Sequence, residues 1–428
     1  PLLFTMGQTT KSGYFPVGNL AATLQVVNKT GVNNTQTDEI TGVQARDHYI
    51  LNFKLADEGN LGEGTGNGVQ VEVDENTNTY TFTFEVPRKS AISLVTRSAN
   101  AWSNFALLNA AVTSKTSVFK SSGLQIQWRA KNASDWNEMP YESLTIDASD
   151  NISATLKGLT PNTAYEYRLC YIDDGTEVMS DPITFTTEQQ VALYNGGFES
   201  WWMDGNVAYA TEQGVSYWDT SNKGAASFGG SNTTETTEVV HGGSKAAMLQ
   251  SKYIVIKFAA GNIFTGSYLR TDGTNGILGF GRPFKAFPSK LTFDYKYNSE
   301  TINKVGDEAL RYMEGRPDSC QIYITLWHIG ENDYEEYNGE KFPLIIRTRP
   351  SERHLFSPND KRVVAYAQLT QGNDVNEWSS HTLELKYKDN TRIPTHIQVV
   401  ASSSKYGDYF TGGIGSTLVL DNLKLHYE

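Results

Sequence analysis

The stretch that most limits what this chain can fold into is its last, residues 401–427, ASSSKYGDYFTGGIGSTLVLDNLKLHY. It opens with small polar residues and an aromatic run (Tyr406, Tyr409, Phe410), crosses the turn Gly412-Gly413-Ile414-Gly415, and ends as a strand. The apolar residues of that strand are Leu418, Leu420, Leu423, Leu425 and Tyr427. Their parity shifts at Asp421-Asn422, as a β-bulge requires if both halves are to face one core. A long patterned strand at the end of a chain must pair with something formed earlier. The expected partner starts at Leu193, in LYNGGFESWW, a short strand after a linker. The residues between would then form one closed β unit with its two ends side by side.

At 428 residues the chain is too long for one core and suits about three domains. Aromatic residues are 12%, with 23 Tyr, and Gly, Thr, Ser and Asn are plentiful; strands and turns suit that mixture, and long amphipathic helices are absent from the pattern. A net charge of −12 argues against nucleic-acid binding, which needs a basic surface. No apolar run approaches the roughly 20 residues of a membrane span, and no signal peptide precedes Pro1. A leader or lipid tether removed ahead of Pro1 is the expectation, so membrane association is expected only through such a tether. Cys170 and Cys320 lack any pairing motif and read as small buried apolar groups.

In chain order, residues 1–89 read as a small immunoglobulin-like β-sandwich, with strand-like segments at 20–27, 48–56, 69–73 and 79–86. The glycine-rich run 62–68 resembles a phosphate loop only superficially, because no helix follows it to hold an anion. Residues 90–188 carry LQIQWRAKNASDW (124–136), LKGLTPNTAYEYRLCYID (156–173) and PITFTT (182–187), and resemble a fibronectin type III-like module. There Trp128, Tyr165, Tyr167 and Leu169 should face inward and Glu166 and Arg168 outward, with Tyr165 a candidate tyrosine corner.

The large domain, 190–428, has expected strands at 246–249, 254–258, 291–297, 321–329, 363–369, 379–387, 397–401 and 417–427, with one helix-like piece at 305–313. Its two ends carry a second resemblance. An NGGFE-type opening and a TLVLDNLKLHY-type closing strand bracket many jelly-roll carbohydrate-binding modules. The final stretch is similar to the end of the "putative carbohydrate metabolism domain" of surface lipoproteins of gut Bacteroidetes. The resemblance implies an all-β protein in which two immunoglobulin-like sandwiches precede a larger jelly-roll. It also implies a suspected role in glycan binding and export to the cell surface or outer membrane.

Catalytic signatures are missing: there is no GxSxG, HExxH, CxxC or Walker loop, and the seven histidines lack metal-ligand spacing. Glu199 and Asp421, brought together if the end strands pair, correspond to acids that hold a structural Ca²⁺ in such jelly-rolls; hard carboxylate oxygens suit that ion. A bulge-capping role for Asp421 and a solvated Glu199 form the alternative.

A sugar site combines a flat aromatic face with polar partners. The candidates are Trp201 and Trp202; Tyr217 and Trp218 with Asp219 and Asn222; Trp327 with His328; Tyr334 and Tyr337; and Tyr406, Tyr409 and Phe410 with Asp408. The choice falls on Trp218, Asp219 and Asn222 with Tyr334 and Tyr337, although a core position for Trp218 is the competing reading. A glycoside hydrolase would need two carboxyl groups about 5–5.5 Å apart for retention or roughly 6.5–9.5 Å for inversion. The loop Glu331–Tyr337 could supply one and Asp204, Asp219 or Asp294 the other. The expected function is thus recognition of an oligo- or polysaccharide by a monomeric surface protein. A hydrolase and a purely structural or adhesive protein are the alternatives.

Overall fold

A computed structural model of the chain describes residues 92–116, 119–173, 175–226 and 229–427, together with the backbone of five strands between residues 18 and 86. The chain groups by its contacts into two units, residues 1–97, 109–154 and 166–183 in one and residues 98–108, 155–165 and 184–428 in the other. The described residues are overwhelmingly β, an all-β sandwich architecture. None of their helices is long and apolar enough to cross a membrane.

In the first unit, Gly18–Asn28 pairs with Gly31–Val43 as a hairpin. Thr79–Val86 pairs antiparallel with Val69–Asp74 and parallel with His48–Leu55. The glycine-rich run 62–68 lies outside the described residues. Further along, Tyr167 and Leu169 are buried, while Glu166 turns outward to Arg129 at 2.6 Å. Trp136 is clasped between the guanidinium groups of Arg129 and Arg168, at 4.2 and 4.4 Å from its ring centre. Cys170 is buried and free. In the second unit Tyr165 forms the expected corner, its hydroxyl accepting the Thr160 N–H at 2.9 Å.

The strands of the second unit that matter here are β1 (Ala246–Gln250), β2 (Lys252–Ile254), β3 (Lys257–Ala259), β4 (Asn262–Asp272), β5 (Asn275–Phe280), β6 (Lys290–Asn298), β7 (Cys320–Trp327), β8 (Leu344–Arg347), β9 (Val363–Gln371), β10 (Val375–Glu384), β11 (His396–Ser402) and β12 (Thr417–His426). One sheet runs Thr233–Thr236, β1, β12, β6, β10. The other, a curled half-barrel, runs β8, β5, β4, β11, β7, β9, then Lys386–Tyr387. Between the two sheets lies the main core, built from Leu291, Phe293, Tyr295 and Tyr297 of β6, Ile322, Ile324 and Leu326 of β7, Ile397, Val399 and Ala401 of β11, and the alternating leucines of β12. Period-2 alternation places the next residues of the same strands on the opposite face. Tyr323, Trp327 and Val400 there join Phe264, Tyr268, Leu278 and Phe280 in a second, aromatic-rich cluster. Cys320 sits buried and unpaired in the first core.

The closing strand behaves as its pattern demands. Leu418, Leu420, Leu423 and Leu425 are all buried in the core despite the parity change. Against β6 the register slips between Thr292↔Lys424 and Asp294↔Asp421, and Asn422 takes φ +55°, which is the bulge. Its partners, however, are β1 and β6. The stretch from Leu193 is a turn and not the expected strand, since Asn195 and Phe198 both adopt positive φ and Phe198 folds back into the core. The two ends still meet. The Leu423 N–H donates to Gly196 O at 2.8 Å, and a Cβ on Gly196 would lie 2.3 Å from Leu423 O, so only glycine fits. Gln190 Nε2 and the Tyr427 hydroxyl add bonds to Leu425 O and Val191 O.

Two further differences concern the site. The expected strand 254–258 is a hairpin, β2–β3, turning at Val255 with φ +52°. Strands β4, β5 and β8 were not expected at all. The helix-like piece is a 3₁₀ segment, Glu308–Met313, capped by Asp307 accepting the Ala309 N–H.

Candidate functional site

On the curled sheet, on the face away from the main core, lies a cavity of about 160 Å³. Its floor includes Tyr323 of β7 and Val400 and Ser402 of β11. One wall is the curl itself: Phe264 and Tyr268 of β4, Leu278 and Phe280 of β5 and the turn between them. Gly266 of β4 lies so close to β5 that a Cβ there would meet Gly279 O at 2.2 Å, so only glycine fits this wall. The remaining walls come from the short helix Asn222–Ala226 with Asn232, from the hairpin β2–β3, and from the turn Gly407–Phe410.

Three charged side chains line it: Lys257, Lys405 and Asp408. Lys257 donates to Asn275 Oδ1 at 2.8 Å and to both oxygens of Thr274, and its ammonium stands 3.2 Å from the centre of the Phe410 ring. Burial pushes it down to about 8, helped by the charges of Arg353 and Arg349. Asp408 is placed by the 3₁₀ turn Gly407–Tyr409, which Phe410 ends in the left-handed conformation at φ +53°. Burial pushes its carboxyl up to about 6 against the opposing pull of Arg353, and its charge in turn adds to the burial that raises Tyr323. The carboxylate has no hydrogen-bond partner among the described residues. Asn232 is 3% exposed; its Nδ2 donates to Ala259 O at 2.8 Å, which fixes the amide, while its buried Oδ1 accepts nothing. Asn232 Oδ1 is sealed from the cavity, which therefore offers apolar walls with one unused acceptor, the Asp408 carboxylate, a pairing that suits hydroxyl-rich rings.

The residues chosen from sequence lie elsewhere. Trp218 is 2% exposed, its indole N–H given to Tyr194 O at 2.6 Å and its ring packed against Phe198, so it offers no face to a ligand. The carboxylate of buried Asp219 accepts the N–H groups of Thr220 and Tyr268 and the Lys223 ammonium. The Asn222 side chain makes four bonds, donating to Ala208 O and Thr233 O and accepting from Asn232 N and Thr233 N. All three are structural: they hold the loop whose neighbours Ser221, Gly224 and Ala225 line the cavity. Tyr334 is half-buried edge-on to His396, and Tyr337 belongs to the small hairpin Glu335–Tyr337/Glu340–Phe342; neither lines the cavity. Asp408 and Phe410, named in the sequence as an aromatic–acid run, do line it.

The acid pair expected to hold calcium is turned to donors. Glu199 accepts the N–H and hydroxyl of Ser244 and the N–H of Lys245. Asp421, fully buried, accepts the N–H groups of His241, Gly242 and Asn422. Together they brace the loop 241–245. A calcium ion needs about 6–8 oxygens, and carboxylates already facing N–H and O–H groups do not fit it. Among the described residues no three His, Cys, Asp or Glu side chains form a metal-binding group. The acids considered for hydrolysis are likewise engaged or remote. Glu335 accepts the Ile345 N–H and lies near His354 and Arg362, Asp294 binds Ser380 and Asn422, and neither lines the cavity.

Comparison with known proteins gives two family matches: "Putative carbohydrate metabolism domain" over residues 194–426 and "Domain of unknown function (DUF4493)" over residues 1–88. No curated protein matches the sequence. Among solved structures, the chain is similar to a "putative glycoside hydrolase" of Bacteroides vulgatus ATCC 8482, at 22% identity and a TM-score of 0.40, covering 54% of this chain and 96% of that one. It is also similar to a protein of the same description from Bacteroides thetaiotaomicron VPI-5482, at 18% identity and a TM-score of 0.41, covering 73% and 99%. At those scores neither likeness bears on the site.

Proposed function

The chain belongs to the family described as "Putative carbohydrate metabolism domain", which gives it a carbohydrate-related role, and we propose that it exercises that role by binding glycan in the cavity of the curled sheet. The observation that carries this is an apolar-walled cavity into which the turn Gly407–Phe410 brings the Asp408 carboxylate, which the described residues leave unbonded. A sugar hydroxyl donating to that carboxylate would make a charge-assisted hydrogen bond. Binding is favoured over hydrolysis because Asp408 is the lone carboxylate among the residues that line the cavity, whereas glycoside hydrolysis employs two.

In this reading the two preceding β modules present the domain at the cell surface of an exporting bacterium. The resemblance of the domain's end motifs to surface lipoproteins is the support for that placement. Protease treatment of intact source cells tests it: loss of the protein agrees, and protection until lysis overturns it. A glycan array tests binding itself, and assay of the bound glycans for released sugars separates a binder from a hydrolase. Retention of at least one glycan with no product is expected. Turnover of bound glycan would favour the hydrolase, and an array with no retained glycan would overturn the proposal.

A further inference from the structure

Resting on the reading of this cavity as a glycan site, we propose that the glycan it takes is an acidic one, whose carboxylate or sulfate groups are held by the ammonium groups of Lys257 and Lys405. Charge is the first argument. Of the three charged side chains that line the cavity, two are cationic and one, Asp408, is anionic. The chain as a whole carries 48 Asp and Glu against 36 Lys and Arg, a net charge of −12. The cavity thus reverses the sign that the composition favours.

The company these lysines keep is the second. Neither makes an ion pair among the described residues. Lys257 gives its hydrogen bonds to neutral oxygens of Thr274 and Asn275 and lies against the Phe410 ring. Lys405 is half-buried, with its ammonium 5.5 Å from the centre of the Tyr406 ring. The charges that act on Lys257 are cations: Arg353 and Arg349 add to the burial that pushes it down to about 8, and no carboxylate pulls it back. Those two arginines are themselves neutralised, Arg349 by Asp272 at 2.6 Å and Arg353 by Asp307. The fold thus gives each arginine a carboxylate and leaves both cavity lysines without one. A partly buried charge that lacks a counter-ion is costly, and an anionic ligand removes that cost where a neutral sugar does not.

The placing of Asp408 is the third. The charge that acts on its carboxyl is that of Arg353, and neither lysine contributes. A ring hydroxyl can therefore reach Asp408 while the acidic group of the same glycan faces the lysines.

The test uses the full chain and polysaccharides in matched pairs. Polygalacturonate and hyaluronan are each set beside their carboxyl-reduced forms, and dextran sulfate beside dextran. Because the chain is net negative, unspecific attraction works against retention of a polyanion. At least one acidic polysaccharide should bind about tenfold or more tightly than its neutral counterpart, a difference of about 1.4 kcal/mol. Preference for the uronates would make the bound group a carboxylate, and preference for dextran sulfate would make it a sulfate. Lys257→Gln and Lys405→Gln should each lower the affinity for the acidic member by about tenfold, with melting temperatures showing that the fold is retained. Raising sodium chloride from about 50 mM to about 500 mM should weaken the parent's binding more than that of the double variant. Neutral and acidic members bound alike, neutral glycans alone retained on the array, or variants that bind as the parent does would overturn the acidic class while leaving glycan binding standing. An array with no retained glycan would remove both.

Discussion

Tyr217-Trp218-Asp219 and Tyr406–Phe410 are nearly the same sentence in residue chemistry, aromatic rings beside a single aspartate, and the fold uses them in opposite ways. Trp218 and Asp219 lie in strand pairing with β4, opposite Thr265 and Phe264, so each side chain has a fixed face and each is spent inside. Asp219 makes its bonds to Thr220, Tyr268 and Lys223. Asp408 follows the end of β11, in a 3₁₀ turn whose backbone bonds are satisfied locally, such as Tyr409 N to Tyr406 O and Phe410 N to Gly407 O. That turn is built without calling on the carboxylate, which is left for the cavity. Strand pairing decides the roles: a ladder commits side chains to two faces, while a self-satisfied turn leaves them free.

The largest effect expected from this contrast is on stability. Trp218→Ala should cost about 3–5 kcal/mol, as truncation of a core tryptophan does, seen as a large fall in the thermal melt. A melt close to the parent's would return Trp218 to the surface and erase the contrast. Asp219→Ala should cost about 1–3 kcal/mol, because it strands the buried Tyr268 N–H.

Asp408→Asn should do the reverse, leaving the melt near the parent's while weakening glycan binding. A large melting loss would show that the turn depends on that carboxylate after all. Its ionisation sharpens the point. The ordinary carboxyl value is 3.8 and burial raises Asp408 to about 6, so the native state holds the proton over a range in which the unfolded chain has released it. The group's contribution to stability is therefore fully present below 3.8 and lost as pH rises through about 6. Binding should run the other way, since the ionised carboxylate is the better acceptor, and weaken between about pH 7.5 and about pH 5. Arg353, Lys257 and Tyr323 share its surroundings and buried His396 is pushed down to about 4, so the comparison is made against Asp408→Asn. Parent and variant with identical pH profiles for melting and binding would remove Asp408 from the site.

The smallest effect expected is none. Asp421 resembles Asp219 in facing N–H donors, so EDTA should leave the melting temperature unchanged. A fall in melting temperature that calcium restores would show an ion bound by the native state alone and would reopen the reading of Glu199 and Asp421 as its ligands.

Much of the fold is legible in the sequence because it rests on alternation. The leucines of β12, the parity change at Asp421-Asn422 and the alternation through Tyr167 and Leu169 all appear in the structure where the pattern puts them. The cavity was not legible, for a physical reason. Its wall is β4–β5, NIFTGSYLRTD and NGILGF, where Gly266, Gly276 and Gly279 break the strand signal. Those glycines are what closeness demands: at Gly279 a Cβ would collide with the Phe342 ring at 2.6 Å, as Gly266 would with Gly279 O. The aromatic–acid run holding Asp408 was visible, but residue type alone ranked the tryptophan-bearing loop above it, and burial reverses that order.

The knot at Gly196 has a mechanical consequence. Leu423 is bonded to Gly196, Gln190 to Leu425 and Tyr427 to Val191, so the chain enters this domain and finishes its last strand in one place. Tension arriving at residue 190 and leaving at residue 427 is carried across that knot, over a few residues, and not along β4, β5 or the turn at Asp408. The strands that shape the cavity stand outside the line of pull, and a load on the domain leaves the shape of the cavity alone.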